Sequence, residues 1–108
     1  MCVETLPYYT EKWQSSGHLY ITRVPGISSE ERQEIIVKMA EARIATDVHY
    51  KPLPMMTAYK NLGLDIKEYP NAYARFANEI TLPLHTRLTD EDVEYILEHY
   101  RGIVKEYV

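Results

Sequence analysis

Residues 18–43 decide the fold, because a strand, a turn and a helix are predicted to follow one another without a gap in their sequence, HLYITRVPGISSEERQEIIVKMAEAR. Residues 18–24 are rich in β-branched and aromatic side chains and are followed by Pro-Gly, which predicts a strand that stops there. Ser28 followed by Glu31 has the spacing of a capping box, so we expect a helix to begin at Ser28. The apolar residues that recur with the 3.6-residue period of this helix are Ile35, Ile36, Met39 and Ala42.

The end of this helix lacks the usual signal. No glycine follows the last apolar residue, although a left-handed glycine is the common way to stop a helix. We therefore expect Arg43 or a neighbour to end the helix, at a cost of about 1 kcal/mol.

The remaining chain predicts further elements in a mixed order. Residues 44–50, IATDVHY, have the composition of a second strand, and two prolines at 52 and 54 exclude regular structure directly after it. The other predicted elements are a short helix over 56–62, a loop over 64–69, a helix from Pro70 with Tyr73, Phe76, Ala77 and Ile80 on one face, an extended piece over 81–84 that its proline confines to an edge, and a long helix capped by Thr89.

This order of elements predicts an α+β domain, in which a small, mostly antiparallel sheet has helices packed on one face. Residues 1–17 show no sustained period and are interpreted as a lead-in segment, and residues 18–108 as the domain itself. The residues predicted to form the core are Leu19, Ile21, Ile35, Ile36, Met39, Val48, Ile96, Leu97 and Val104.

Composition and charge exclude several classes of function. The chain has 108 residues and a net charge of −4, with 12 Lys and Arg against 16 Asp and Glu. Because nucleic-acid binding needs a basic field, this balance argues against a nucleic-acid partner. The single cysteine, Cys2, excludes an internal disulfide and a cysteine-based zinc site. No apolar run reaches the roughly 18 residues of a membrane span, so we expect a cytoplasmic protein with no membrane partner.

A self-sufficient active site is not evident from the residues. The four glycines are isolated, and no serine has the context of an activated nucleophile. Among the four histidines, His49 is the best candidate for function, because it lies at the end of a predicted strand that leads into a proline-braced loop. His18 and His85 are interpreted as structural and His99 as a solvated surface residue.

Four motifs, in order along the chain, carry a resemblance to a known family. They are HLY (18–20) with Arg23-Val24, VHYKPLP (48–54) with AYKNLG (58–63), LPL (82–84) and LTDED (88–92). Together they resemble the C-terminal region of the DegT/StrS-type sugar-nucleotide aminotransferases, which are pyridoxal-phosphate enzymes of fold type I. The resemblance covers residues 16–108.

The resemblance implies the small domain of an enzyme that transfers an amino group to a keto sugar carried on a nucleoside diphosphate, for cell-surface polysaccharide biosynthesis. Such enzymes hold pyridoxal phosphate in a larger domain, on a lysine in a Ser-His-Lys context. None of the six lysines here has that context, so we expect no catalytic residue and no cofactor in this chain, and no activity from it alone. The partners implied are the large cofactor domain and a nucleotide-sugar substrate.

The resemblance also implies substrate-binding residues, and the sequence departs from the family near them. His49 and Tyr50, with Lys51 and Tyr59, correspond to positions near the sugar-nucleotide site, where His49 could hydrogen-bond the sugar or the diphosphate. Family members often carry Gly in place of Arg43 and Asp47, and His in place of Pro54. Since Asp47 places a carboxylate near an anionic substrate, diphosphate binding at this point is in question.

The tyrosine content of the chain suggests an interaction surface and a second possible function. The chain has ten tyrosines against one Phe and one Trp, which suits a partly covered surface. The alternative to the aminotransferase domain is therefore a stand-alone, non-catalytic interaction or regulatory module with the same fold. The residues expected to form a homodimer surface are Tyr50, Met55, Met56 and Tyr59, together with Trp13 and the tyrosines of the lead-in segment, Tyr8 and Tyr9.

Overall fold

A computed structural model describes residues 3–108; Met1 and Cys2, the one cysteine, lie outside the described residues. Within that range three antiparallel strands form one sheet in the order β1-β2-β3, and helices connect and cover them. The elements in chain order are β1 (Glu4–Thr5), β2 (Tyr20–Arg23), α1 (Ser29–Glu41), α2 (Thr57–Asn61), α3 (Pro70–Ala77), β3 (Glu79–Leu82) and α4 (Asp90–Val104), with single 3-10 turns at Leu53–Met55 and Ile66–Glu68. The α+β class and the small antiparallel sheet are confirmed.

Both long helices begin as their sequences predict. Ser28 caps α1 and exchanges hydrogen bonds with Glu31, and Thr89 and Asp92 form the same reciprocal box at the start of α4. The side chains of these boxes satisfy amide groups that have no partner inside the helix, and their carboxylates lie at the positive end of the helix dipole.

Arg43 ends α1, as the absence of glycine predicts. Its φ of 62° lies in the left-handed region, and its N–H donates to Ala40 O at 2.9 Å, while Ile44 N–H donates to Met39 O at 2.9 Å. This pair of bonds is a Schellman motif, and the buried side chains of Ile44 and Met39 belong to the same core cluster.

The core lies on one face of the sheet, against α1 and α4. Thr22 is buried there and hydrogen-bonds the Tyr100 hydroxyl of α4. Ile35, Met39, Ile96 and Val104 are buried as predicted. The core residues that the sequence did not single out are Val24, Ile27, Ile44, Ile80, Leu82 and Tyr100.

The prediction was wrong for five other core residues, Leu19, Ile21, Ile36, Val48 and Leu97, which are only half-buried. For Ile21 the cause is the alternation of side chains along a strand, which places it on the face opposite Thr22. Val48 belongs to a segment that is not a strand, so no sheet periodicity turns its side chain into the core.

The second predicted strand was also wrong. Residues 44–50 pair with the sheet only at Asp47, opposite Thr81. The reason is that three backbone amides of this segment donate hydrogen bonds outside a strand ladder. The Ile44 N–H donates within the Schellman motif and the Val48 N–H donates to the Asp47 side chain. The His49 N–H donates to a carboxylate oxygen of Glu79. Backbone groups that bind side chains are not free to build a ladder.

Two further differences follow from pairing between distant segments. β1 lies within the lead-in segment and pairs with the end of β2, Glu4 opposite Arg23. Ile80 was expected on the face of the third helix, but α3 ends at Ala77 and Ile80 is a β3 residue opposite Thr22. β3 therefore begins at Glu79, two residues before the extended piece predicted over residues 81–84, and it ends at Leu82.

Candidate functional site

The second face of the sheet carries polar side chains. The strand register places Arg23 opposite Glu79 and Ile21 opposite Thr81, and alternation puts all four on the side away from the core. Glu79 and Thr81 are nevertheless buried, because the segment around His49 lies over them. This arrangement brings a predicted functional histidine onto a sheet face that the sequence did not connect with it.

His49 is held by two contacts to β3. Its backbone N–H donates to Glu79 Oε2 at 2.9 Å, and its ring Nδ1 lies 2.9 Å from Thr81 Oγ1. The Thr81 hydroxyl in turn donates to Glu79 Oε1 at 2.5 Å. The bridge between Asp47 and Thr81 ties the same segment to the strand, with Thr81 N–H donating to Asp47 O at 2.8 Å. The imidazole is therefore positioned by the backbone and by two side chains.

Glu79 is a buried carboxyl group with a cation nearby. Burial raises the pKa of Glu79, while hydrogen bonds from Thr81 and from the His49 backbone and the charge of Arg32 act in the opposite direction. Arg32 is itself buried, which lowers its pKa; it donates to Phe76 O at 2.6 Å, and its guanidinium lies 4.5 Å from the centre of the Phe76 ring. The α1 helix thus supplies a positive charge that favours the ionised form of the carboxylate holding His49.

Two cavities meet at His49. The first, the Asp47 cavity, has a volume of about 250 Å³ and is lined by His18, Asp47, His49, Thr81 and Leu84 among others. The second, the Arg75 cavity, has a volume of about 310 Å³ and is lined by Arg23, His49, Tyr50, Arg75, Phe76 and Glu79 among others. The Tyr50 ring is edge-on to the His49 imidazole, with 4.7 Å between the two ring centres, and Tyr50 is 68% exposed. Cations and aromatic rings in the Arg75 cavity suit an anionic ligand with a stacking group.

The structure brings some of the predicted site residues together and not others. His49 and Tyr50 are adjacent at the Arg75 cavity, whereas Lys51 and Tyr59 line neither cavity. His18 lines the Asp47 cavity. His99 is half-buried rather than solvated, with its Nδ1 donating to Tyr95 O at 2.9 Å.

Sequence reasoning missed the residues that surround His49: Arg23, Arg75, Glu79 and Thr81. The available signal was the alternation in β3, where polar Glu79 and Thr81 alternate with apolar Ile80 and Leu82. It could indicate a polar sheet face, but it could not indicate that His49 would cover that face.

The residues present do not fit a covalent pyridoxal phosphate site. An internal aldimine needs a lysine in an enclosed site, yet five of the six lysines are exposed and the sixth, Lys38, binds Glu106 and lies over the Tyr107 ring. None of them lines the Asp47 or Arg75 cavity. Within residues 3–108 no three metal-ligating side chains converge, and no helix has the length and apolarity to cross a membrane.

Three known proteins are similar to this chain, and two of them are named as aminotransferases. The PLP form of Spr1654 from Streptococcus pneumoniae, a protein named as a sugar aminotransferase, superposes on 98% of this chain with a TM-score of 0.95 and 57% identity. PseC of Helicobacter pylori, an aminotransferase involved in the biosynthesis of pseudoaminic acid, superposes on 86% with a TM-score of 0.76 and 26% identity. SpsC of Bacillus subtilis, a spore coat polysaccharide biosynthesis protein, is 30% identical over 105 residues, 92% of this chain.

This chain spans only about a quarter of each of these proteins: 27% of Spr1654, 25% of PseC and 26% of SpsC. Its fold is accordingly that of the small domain of such aminotransferases. Residues 2–101 match the sequence pattern of one family. The chain belongs to the DegT/DnrJ/EryC1/StrS aminotransferase family.

Proposed function

We propose that this chain acts as the small domain of a pyridoxal-phosphate-dependent sugar aminotransferase, which aminates a keto sugar carried on a nucleoside diphosphate. The observation that carries the proposal is the superposition on Spr1654, at 57% identity over nearly the whole chain but only 27% of the relative. The large domain is the proposed partner and holds the cofactor. A role in cell-surface polysaccharide biosynthesis, supported by the likeness to SpsC, and a cytoplasmic location belong to the same proposal.

The proposed substrate site is the Arg75 cavity, which His49 and Tyr50 line. Lys51 and Tyr59 enter the proposal through the family resemblance alone. Tyr50 offers an exposed ring that can pack on a sugar, and His49 offers a ring nitrogen for a hydrogen bond. Arg75 is exposed at the cavity and supplies a cation for a diphosphate. Arg23 contributes less freely, since its guanidinium already donates to Glu4, Asn78 and the Ala74 carbonyl. In this role the small domain binds and orients the substrate, and the bond changes occur at the cofactor in the large domain.

A chimera tests the proposal. This chain replaces the matching quarter of Spr1654, and the amination of nucleotide-linked keto sugars is measured against the parent enzyme. We expect an active chimera, in which His49→Ala raises the KM for the nucleotide sugar. The matched control is His85→Ala, which removes an exposed histidine that lines neither cavity at His49.

The outcomes separate the two functions considered. A folded chimera that binds the cofactor but has no aminotransferase activity would favour the stand-alone interaction module. A chimera in which the two histidine variants behave alike would show that His49 takes no part in substrate binding.

A further inference from the structure

We propose that Glu79 and Thr81 are positioning residues, which hold the His49 imidazole as the Nδ1–H tautomer and so present Nε2 as a hydrogen-bond acceptor. The ligand group that fits this acceptor is a hydroxyl, such as that of a sugar. The inference rests on the proposed function for the identity of the ligand, but the tautomer itself is a property of this chain alone.

The direction of the hydrogen bonds follows from counting protons. The Thr81 hydroxyl has one proton, and that proton is used in the bond to Glu79 Oε1. The contact of 2.9 Å between Thr81 Oγ1 and His49 Nδ1 therefore needs its proton from the ring. A neutral imidazole carries only one N–H, so the other nitrogen, Nε2, has a free lone pair.

Glu79 is suited to fix this direction. One of its oxygens accepts from the Thr81 hydroxyl and the other from the His49 backbone N–H at 2.9 Å, so both contacts use the carboxylate as an acceptor. The buried guanidinium of Arg32 provides a compensating positive charge. Thr81 is fixed as well, because its backbone pairs with Ile21 on one side and with Asp47 on the other.

The free nitrogen faces no protein partner within residues 3–108, where the ring's one hydrogen bond is at Nδ1. His49 lines both cavities, so a ligand in either can reach the ring. A lone pair at Nε2 attracts a hydroxyl donor and repels the oxygens of a phosphate. The carboxylate of Asp47, which lines the Asp47 cavity, also repels the oxygens of a phosphate. Of the two ligand groups considered for His49, the sugar is therefore favoured over the diphosphate.

The test measures the tautomer directly. The ring nitrogens of His49 are assigned by ¹⁵N NMR in the full chain, and again in the chimera, at about pH 8.5, where imidazoles are neutral. We expect the Nδ1–H form to dominate in the wild type, to be lost in Thr81→Val and to be retained in Thr81→Ser, which keeps the hydroxyl. Glu79→Gln should also reduce it. The methyl resonances of Ile35 and Val104 in the core report whether each variant is folded.

Binding provides the second readout. In the chimera, Thr81→Val should raise the KM for the nucleotide sugar about tenfold, while the inhibition constant of the free nucleoside diphosphate changes less than twofold. A wild-type ring in the Nε2–H form, or a ring insensitive to Thr81→Val, would overturn the proposal. An inactive chimera that shows the expected tautomers would count against the proposed function and still support the positioning role.

Discussion

At the scale of single residues, one hydrogen-bonded pair crosses the core between the sheet and α4. The Thr22 hydroxyl donates to Ile80 O at 2.7 Å, and the Tyr100 hydroxyl donates to Thr22 Oγ1 at 2.7 Å. Tyr100 is 3% exposed, and burial raises its pKa to about 12. A buried phenol that cannot ionise easily links stability to alkaline pH.

We predict that stability falls between about pH 10 and pH 12 because of Tyr100. The unfolded tyrosine ionises near pH 10, whereas the folded one stays protonated up to about pH 12, so the unfolded state binds fewer protons in this window. The loss is roughly 2 kcal/mol at pH 12. In Tyr100→Phe, urea unfolding should show a smaller decline over that range, at a cost of about 1 kcal/mol at neutral pH. Tyr9→Phe, at an exposed tyrosine, is the control and should follow the wild type.

At the scale of elements, the end of α1 carries backbone strain that another residue would relieve. Arg43 adopts a φ of 62° to complete the Schellman motif. Arg43→Gly should therefore increase the free energy of unfolding by about 0.5–1 kcal/mol, since glycine adopts this conformation at no steric cost. Arg43→Ala keeps the strain and should give no gain. A glycine variant no more stable than the alanine variant would show that the left-handed backbone of Arg43 carries no strain that glycine relieves.

A second prediction at this scale compares how much stability is lost on truncating Ile35 in α1 and Leu97 in α4. Ile35 is fully buried, so Ile35→Ala should cost about 2–5 kcal/mol. Leu97 is only half-buried at the edge of the core cluster, so Leu97→Ala should cost about 1 kcal/mol. Chemical denaturation of both variants measures the difference. Equal costs would place Leu97 in the core.

At the scale of the whole molecule, the segment in and beside the proline-braced loop exposes several apolar side chains, which we call the loop surface. This loop surface consists of Tyr50, Leu53, Met56 and Leu62, all exposed. Met55 and Tyr59, expected to belong to it, are half-buried, and Trp13 is exposed elsewhere on the chain. Apolar surface of this kind is usually covered by a partner.

We predict that the isolated chain self-associates through the loop surface, most simply as a two-fold dimer. Sedimentation should show a dimer for the wild type and a monomer for the double variant Leu53→Glu, Met56→Glu. Val37→Glu, which adds one negative charge at an exposed apolar residue of α1, is the control and should remain dimeric. A wild type that stays monomeric at high concentration would contradict the prediction.

Cofactor binding also belongs to this scale. We predict that the chain alone forms no aldimine with pyridoxal phosphate, because no lysine lies in an enclosed cavity at the site. Borohydride treatment followed by peptide mapping should find no single modified lysine. Stoichiometric labelling of one lysine would contradict this, whereas weak labelling spread over exposed lysines would not.

The sequence by itself determined what depends on neighbouring residues. The capping boxes at Ser28 and Thr89, the left-handed stop at Arg43 and the buried stripe at Ile35 and Met39 all follow from interactions within a few positions. The family motifs, being local, were equally readable.

The tertiary structure decided what depends on distant segments. Residues 44–50 became a loop because their amides bind side chains, one of them from Glu79, 30 residues further on. β1 forms only because β2 offers it an edge. The contacts of His49 with Glu79 and Thr81 arise in the same way, since alternation in β3 sets their common face but only chain folding brings the imidazole over it. The hydrogen bonds of a helix join residues a few positions apart, so the local sequence specifies them. The hydrogen bonds of a sheet join distant segments, so they depend on which segments the folded chain brings side by side.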